Sequence, residues 1–172
     1  LLCYQWMPNH WHMILMPRED GAMGRLLYWV SMTHAARHHA HYHATGTGHL
    51  YQGRFKSFPV QSDDHFLVVC RYVERNALAA NLVERAEDWR FGSLYNWTGG
   101  MCGVTLTKWP IRRPPGWIAR VNQALNEKEE KQLQRAIARS QPFGDQSWVA
   151  STARKYNLES TLHNLGRPRK LT

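Results

Sequence analysis

The chain has 172 residues, 43% hydrophobic, 12% aromatic and 20% charged, with a formal net charge of +9 at pH 7; at roughly 100–200 residues per domain this suits one main core with room for a small appendage. No run approaches the ~18 consecutive apolar residues of a membrane span, and three cysteines (Cys3, Cys70, Cys102), odd in number and widely spaced, argue against a disulfide framework or a cysteine zinc site. The expectation is a soluble, cytoplasmic protein with no membrane partner.

Charge is unevenly placed. Residues 1–100 hold nine Lys/Arg against eight Asp/Glu, and residues 101–172 hold thirteen against five. The histidines run the other way, nine of ten lying between His10 and His65. A basic tail behind a histidine-rich, nearly neutral region suggests chemistry in front and polyanion binding behind, with a solvated basic surface as the equal alternative.

In chain order, residues 1–7 (LLCYQWM) and 10–16 (HWHMILM) predict two strands joined by a Pro8-Asn9 turn. Alternation puts His10, His12, Ile14 and Met16 on one face of the second strand and Trp11, Met13 and Leu15 on the other. From Gly21 to about His43, Met23, Leu26, Leu27, Val30 and Met32 recur at helical spacing, which predicts an amphipathic helix with a histidine-rich end. Phe55–Gln61 (FKSFPVQ) predicts a third strand, with Pro59 at an edge or bulge. Ser62 or Asp63 then caps a helix whose apolar stripe is Phe66, Leu67, Val69, Cys70 and Val73, ending near Ala80 with Asn81 in the left-handed cap position. Trp89–Ser93 reads as a turn at a domain edge. The Pro/Arg-rich "KWPIRRPPGW" (108–117) reads as the linker, and residues 126–139 and 145–156 as two short helices.

Strand, strand, helix, strand, helix is the order of an α+β ferredoxin-like or RRM-like plait with an antiparallel sheet, lacking its first strand and helix. The start within an apolar strand, without an initiating methionine, suggests a fragment. The expected division is a catalytic domain over 1–104 and a small basic helical segment over 105–172.

Within this frame one constellation carries chemistry. A His-x-His pair on one strand face sets two imidazoles roughly 6–7 Å apart at the backbone, close enough to converge on a metal. "RYVERN" sets Tyr72 and Asn76 four residues apart, on one helical face. Taken alone, each pair is more often packing and surface.

"MPNHWHMILMP", "YQGRFKS", "CRYVERNALAANLV", "EDWRFGS" and "DQSWVASTARKYNLESTLHNLGRPRK" together resemble, in order and spacing, the REP-associated tyrosine transposases, relatives of the IS200-like single-tyrosine HUH transposases. The resemblance implies a single-stranded DNA strand transferase whose tyrosine becomes linked to a 5′ phosphate. Carried over, His10 and His12 are metal ligands, Tyr72 is the nucleophile and Asn76 stands where relatives supply an amide ligand. The chain departs at Ala77, where Asn-Pro is common, and at Asn81, where glycine is common.

Two imidazoles and an amide oxygen leave coordination positions open, which suits Mg²⁺ or Mn²⁺ better than a closed zinc site. His65 faces the same side of the helix as Tyr72 and reads as a bystander. Arg54, Lys56, Arg71, Arg75, Arg112 and Arg113 are candidate DNA contacts, each equally readable as surface charge. "GRPRK", with Arg167, Arg169 and Lys170, resembles a minor-groove hook or else a plain basic end. The expected partner is single-stranded or hairpin DNA, bound by a monomer or homodimer. The rival readings are a non-catalytic nucleic-acid-binding plait and a metal-dependent nuclease using water.

Overall fold

The computed structural model describes residues 1–44, 46–101 and 103–163; Arg167, Arg169 and Lys170 of the proposed hook lie outside the described residues. Strands β1 (Cys3–Trp6) and β2 (Trp11–Ile14) pair antiparallel. The register sets Gln5 opposite His12 and Trp6 opposite Trp11, and the Met7 N–H closes the turn on the His10 carbonyl at 2.8 Å. The hairpin forms where expected, with shorter strands.

On its other edge β1 meets the Trp89–Ser93 segment. Gln5 bridges Gly92, and the Trp6 N–H reaches the Phe91 carbonyl at 3.0 Å. A Cβ at 92 would stand 2.1 Å from the Gln5 side-chain oxygen, so a larger residue there would require the Gln5 side chain to shift. The segment expected as an edge turn thus extends the sheet by one rung.

The chain divides into two compact units, Leu15–Phe55 and Leu1–Ile14 with Lys56–Thr172. The first contains helix α1 (Ala22–His41). Of its expected apolar stripe only Leu27 is buried, Met23 and Val30 are partly buried and Leu26 and Met32 are exposed; Tyr28 and Trp29, outside that stripe, are exposed as well. Within this unit the His34 Nδ1 lies 2.7 Å from the Tyr51 hydroxyl, and the His39 Nδ1 lies 2.9 Å from the Ala44 carbonyl.

The second unit is built on α2 (Asp64–Ala79), with Asp63 accepting the His65 N–H as the predicted cap at 2.8 Å. Phe66, Val69, Cys70, Val73 and Ala77 are its buried stripe, at the spacing that turns one helical face inward. Asn81 takes φ 55°, and the Leu82 N–H returns to the Ala77 carbonyl, so the left-handed stop forms without glycine. Helices α3 (Ser93–Trp97), α4 (Trp117–Asn122), α5 (Glu127–Arg139) and α6 (Gln146–Lys155) follow. α5 begins with a full capping box between Asn126 and Glu129, and Asp145 caps α6. α5 and α6 match the two predicted helices, whereas α3 and α4 were not predicted.

The fold is mixed helix and sheet, and two expectations need correcting. Phe55–Gln61 is not a strand of the sheet. Instead Pro59 and Gln61 bond the backbone of Phe143 on either side of a single Val60–Phe143 bridge; Pro59 has no N–H to extend a ladder. Nor is 108–117 a linker. Trp109 and Trp117 are both core residues, with rings 5.3 Å apart at 87°. The Trp109 indole N–H donates to the Leu2 carbonyl at 2.9 Å and the Thr107 N–H to the Leu1 carbonyl at 2.8 Å. Two indoles supply both the buried area and the polar anchor, and the packing crosses the expected 104/105 boundary.

The second indole ends on a charge. Trp117 Nε1 donates to Glu74 Oε2 at 2.7 Å and the Ser93 hydroxyl to Oε1 at 2.8 Å, while Ser93 Oγ also lies 3.1 Å from Cys3 Sγ. Glu74 is fully buried. Burial pushes its carboxyl above the ordinary 4.5, against the pull of both hydrogen bonds and of Arg113. A raised folded-state pKa means that its contribution is complete below the unfolded value and fades as pH rises through the folded one. In urea unfolding between pH 4 and 8, Glu74→Gln should therefore gain on the wild type as pH rises, its amide N–H taking the Ser93 oxygen. Glu74→Ala, which leaves two buried donors unpaired, should cost about 3 kcal/mol. An Ala variant as stable as wild type would contradict this account.

Candidate active site

The β-hairpin and α2 bring four residues together. His10 and His12 lie on one face of the hairpin, their rings 4.9 Å apart at 84°. His10 is at the exposed turn and His12 is partly buried. Helix α2 crosses beside them, so the Tyr72 ring meets His12 edge-on at 5.6 Å and 77°. One turn later the Asn76 amide Nδ2 stands 3.2 Å from His12 Nε2. Trp11 points away and contacts Trp6, ring centroids 6.1 Å apart.

The Asn9 side-chain oxygen lies 2.7 Å from His10 Nδ1, a contact in which Nδ1–H donates and which orients the ring. His12 is lowered to about 4, first by burial and second by the neighbouring His10. It is therefore neutral at physiological pH, with its Nε2 lone pair aimed at the Asn76 amide.

The donor set can be tested against a divalent ion. Cis ligands at about 2.1 Å on an octahedral ion stand roughly 3 Å apart, close to the 3.2 Å between Asn76 and His12. Half a turn of the Asn76 side-chain amide presents its oxygen there. Among the described residues no three His, Cys, Asp or Glu side chains cluster for a metal, so a site here depends on the Asn76 amide.

The basic candidates divide. Arg54, Lys56 and Arg112 are exposed, Arg54 within the Leu15–Phe55 unit. Arg71 instead donates to the carbonyls of Arg120, Gln123 and Ala124 at 3.1–3.4 Å and lies 3.9 Å from the Glu129 carboxylate. Arg113 is stacked between Trp97 and Trp109, 4.1 and 3.9 Å from the ring centroids. Both serve the fold, since their hydrogen-bonding or cationic faces are already occupied. Arg75 lines an open cleft of about 620 Å³ with Leu78, Glu84, Arg85, Ile118 and Asn122, its Nε buried without a hydrogen-bond partner among the described residues. His65 is a bystander, bonded to Asp63 at 2.8 Å and packed on Phe143.

The sequence reading missed two residues at the site. Asn9, read as a turn residue, orients His10. Gln134 of α5 directs its Nε2 to the Tyr72 hydroxyl at 3.4 Å, and nothing in its local sequence distinguishes it from its exposed neighbours.

Residues 1–76, which include His10, His12, Tyr72 and Asn76, match the family model described as Transposase IS200 like, a similarity that supports a DNA-processing transposase. Comparison with curated proteins and with solved structures found no match.

The two roles open to Arg71 differ in what its loss changes. Arg71→Ala should lower unfolding stability by about 1–3 kcal/mol by unpairing backbone carbonyls, whereas exposed Arg112→Ala should stay within about 0.5 kcal/mol. If Arg71 served DNA alone, its loss would leave stability unchanged and reduce the salt slope of DNA binding by about one.

Proposed function

We propose that the protein is a metal-dependent transposase that cleaves and rejoins single-stranded DNA near hairpins, with Tyr72 as nucleophile. The observation that carries this reading is the convergence of His10, His12, Asn76 and Tyr72 at one end of the hairpin. A module that only bound nucleic acid would have no use for two imidazoles and an amide beside one phenol. The family matched by residues 1–76 supports the transposase class. The plait expected from the element order supplies the scaffold in this proposal, with β1, β2 and α2 as its parts.

In the reaction, the Tyr72 oxygen forms a bond to the scissile phosphorus as the bond to the 3′ oxygen breaks. The phenol loses its proton and the departing 3′ oxygen gains one. A phenol with pKa about 10 is a weak nucleophile at neutral pH. An Mg²⁺ or Mn²⁺ ion held by His10, His12 and Asn76 would polarise a phosphate oxygen. Neutral His12 offers its lone pair without a competing proton, Asn9 orients His10, and the half-buried Tyr72 ring is held against His12. The phosphotyrosine conserves the bond energy of the diester, so attack by a 3′ hydroxyl can rejoin strands.

For DNA binding the proposal relies on the exposed Lys56, Arg54 and Arg112, on Arg75 in its cleft, and on the basic segment that includes Arg167, Arg169 and Lys170. Deleting 105–172 would remove Trp109 and Trp117 from the core, so the tail is better tested by substitution. Arg167→Ala/Arg169→Ala/Lys170→Ala should weaken hairpin binding and flatten its salt dependence, as counterion release requires.

The main test uses end-labelled single-stranded hairpin DNA with Mg²⁺ or Mn²⁺ on a denaturing gel. A protein-linked band should form with the wild type and be absent with Tyr72→Phe, with His10→Ala/His12→Ala and after chelation. Cleavage without an adduct that survives Tyr72→Phe would establish a water-using nuclease instead. Binding with neither product would favour the non-catalytic reading.

A further inference from the structure

We infer that Gln134 is a positioning residue for the Tyr72 hydroxyl, and that α5 thereby forms one wall of the active site; this rests on the tyrosine-nucleophile reading above. Among the described residues, the hydrogen bond from Gln134 Nε2 at 3.4 Å is the one that reaches this hydroxyl. The Tyr72 ring is restrained on its flank by the edge of His12 and at its tip by this amide. Together the two contacts limit swing about both side-chain torsions, and in-line attack on a phosphodiester depends on such orientation.

The donor N–H suits this role. It occupies one lone pair of the phenol oxygen and leaves the other for the phosphorus, and a long contact in the resting enzyme can shorten as negative charge develops on the oxygen.

The support behind Gln134 is rigid. Leu133 and Ala136, flanking it on α5, are buried. The helix start is fixed by the Asn126–Glu129 capping box. The chain leading into α5 is tied to α2 by Arg71, the immediate neighbour of Tyr72, through the carbonyls of Gln123 and Ala124. Tyrosine and amide are thus held from a common base, although Gln134 lies 58 residues beyond the end of the family-matched segment 1–76.

Gln134→Met keeps the shape and removes the donor; Gln132→Met, an exposed position on the same helix, is the control. Single-turnover adduct formation at saturating hairpin DNA should slow about 3–10-fold in Gln134→Met, the range expected for one neutral hydrogen bond. Hairpin Kd and Tm should stay at wild-type values, and Gln132→Met should behave as wild type throughout. A packing role would leave the Met variant unimpaired. In protein labelled with 3-fluorotyrosine, the resonance assigned by its loss in Tyr72→Phe should move in Gln134→Met and stay in place in the control.

An adduct formed by Gln134→Met at the wild-type rate or faster, or an unmoved Tyr72 resonance, overturns this inference alone. Failure of the wild type to form any adduct brings down the nucleophile reading and this inference with it.

Discussion

A carboxylate buried in the middle of α2 determines how the elements around it meet. Glu74 takes a hydroxyl from α3 and an indole N–H from α4, and through Ser93 it touches the thiol of Cys3 on β1. Left unpaired at that depth, a charged group would cost several kcal/mol. The sequence can therefore place glutamate there only if Ser93 and Trp117 arrive together. Arg113, stacked on the neighbouring indoles, adds a favourable field. A polar triad of this kind is more demanding of geometry than an apolar contact, because each donor has one direction.

The consequence reaches the opposite face of the same helix. Glu74 lies two residues from both Tyr72 and Asn76, about 200° around the helix from each. Fixing the back of α2 against β1, α3 and α4 fixes the rotation of its front, which is what sets Tyr72 and Asn76 beside His12. Strand β1 belongs to both sides of this arrangement. Its Cys3 touches the buried polar cluster, and its Gln5 pairs with His12 of the adjacent strand. The hairpin and the helix are thus registered by one set of buried contacts.

What was legible in the sequence follows from how local each signal was. The hairpin, the Asp63 cap, the stripe of α2, the Asn81 stop and the caps of α5 and α6 rest on periodicity and on residues within four positions of one another. The His-x-His pair and the Tyr72–Asn76 spacing are local in the same sense, but what joined the two pairs in sequence was the family resemblance, since His12 and Asn76 lie 64 residues apart. What failed was set by distant partners. Phe55–Gln61 has strand composition, but among the described residues its pairing is a single bridge to Phe143. Trp109 and Trp117 sit in Pro/Arg-rich surroundings that read as a linker, yet their partners are Leu2 and Glu74, 107 and 43 residues away. No window of sequence contains both ends of such contacts.

Arginine shows the same limit in electrostatic form. A count of positive charge treats every guanidinium as available to DNA, but Arg71 is engaged by carbonyls and Arg113 by aromatic faces. Five donors in a planar fork make arginine as useful for tying loop carbonyls as for gripping phosphate. Arg71 joins the loop before α5 to the residue next to Tyr72, and so ties the C-terminal helices to α2. The division into a catalytic front and a binding back, natural from the charge distribution, therefore cannot be made by cutting the chain. Residues 105–139 carry core indoles, the buried Leu133 and the amide that faces the phenol, so their loss would remove packing from the core and a contact from Tyr72 along with the positive charge.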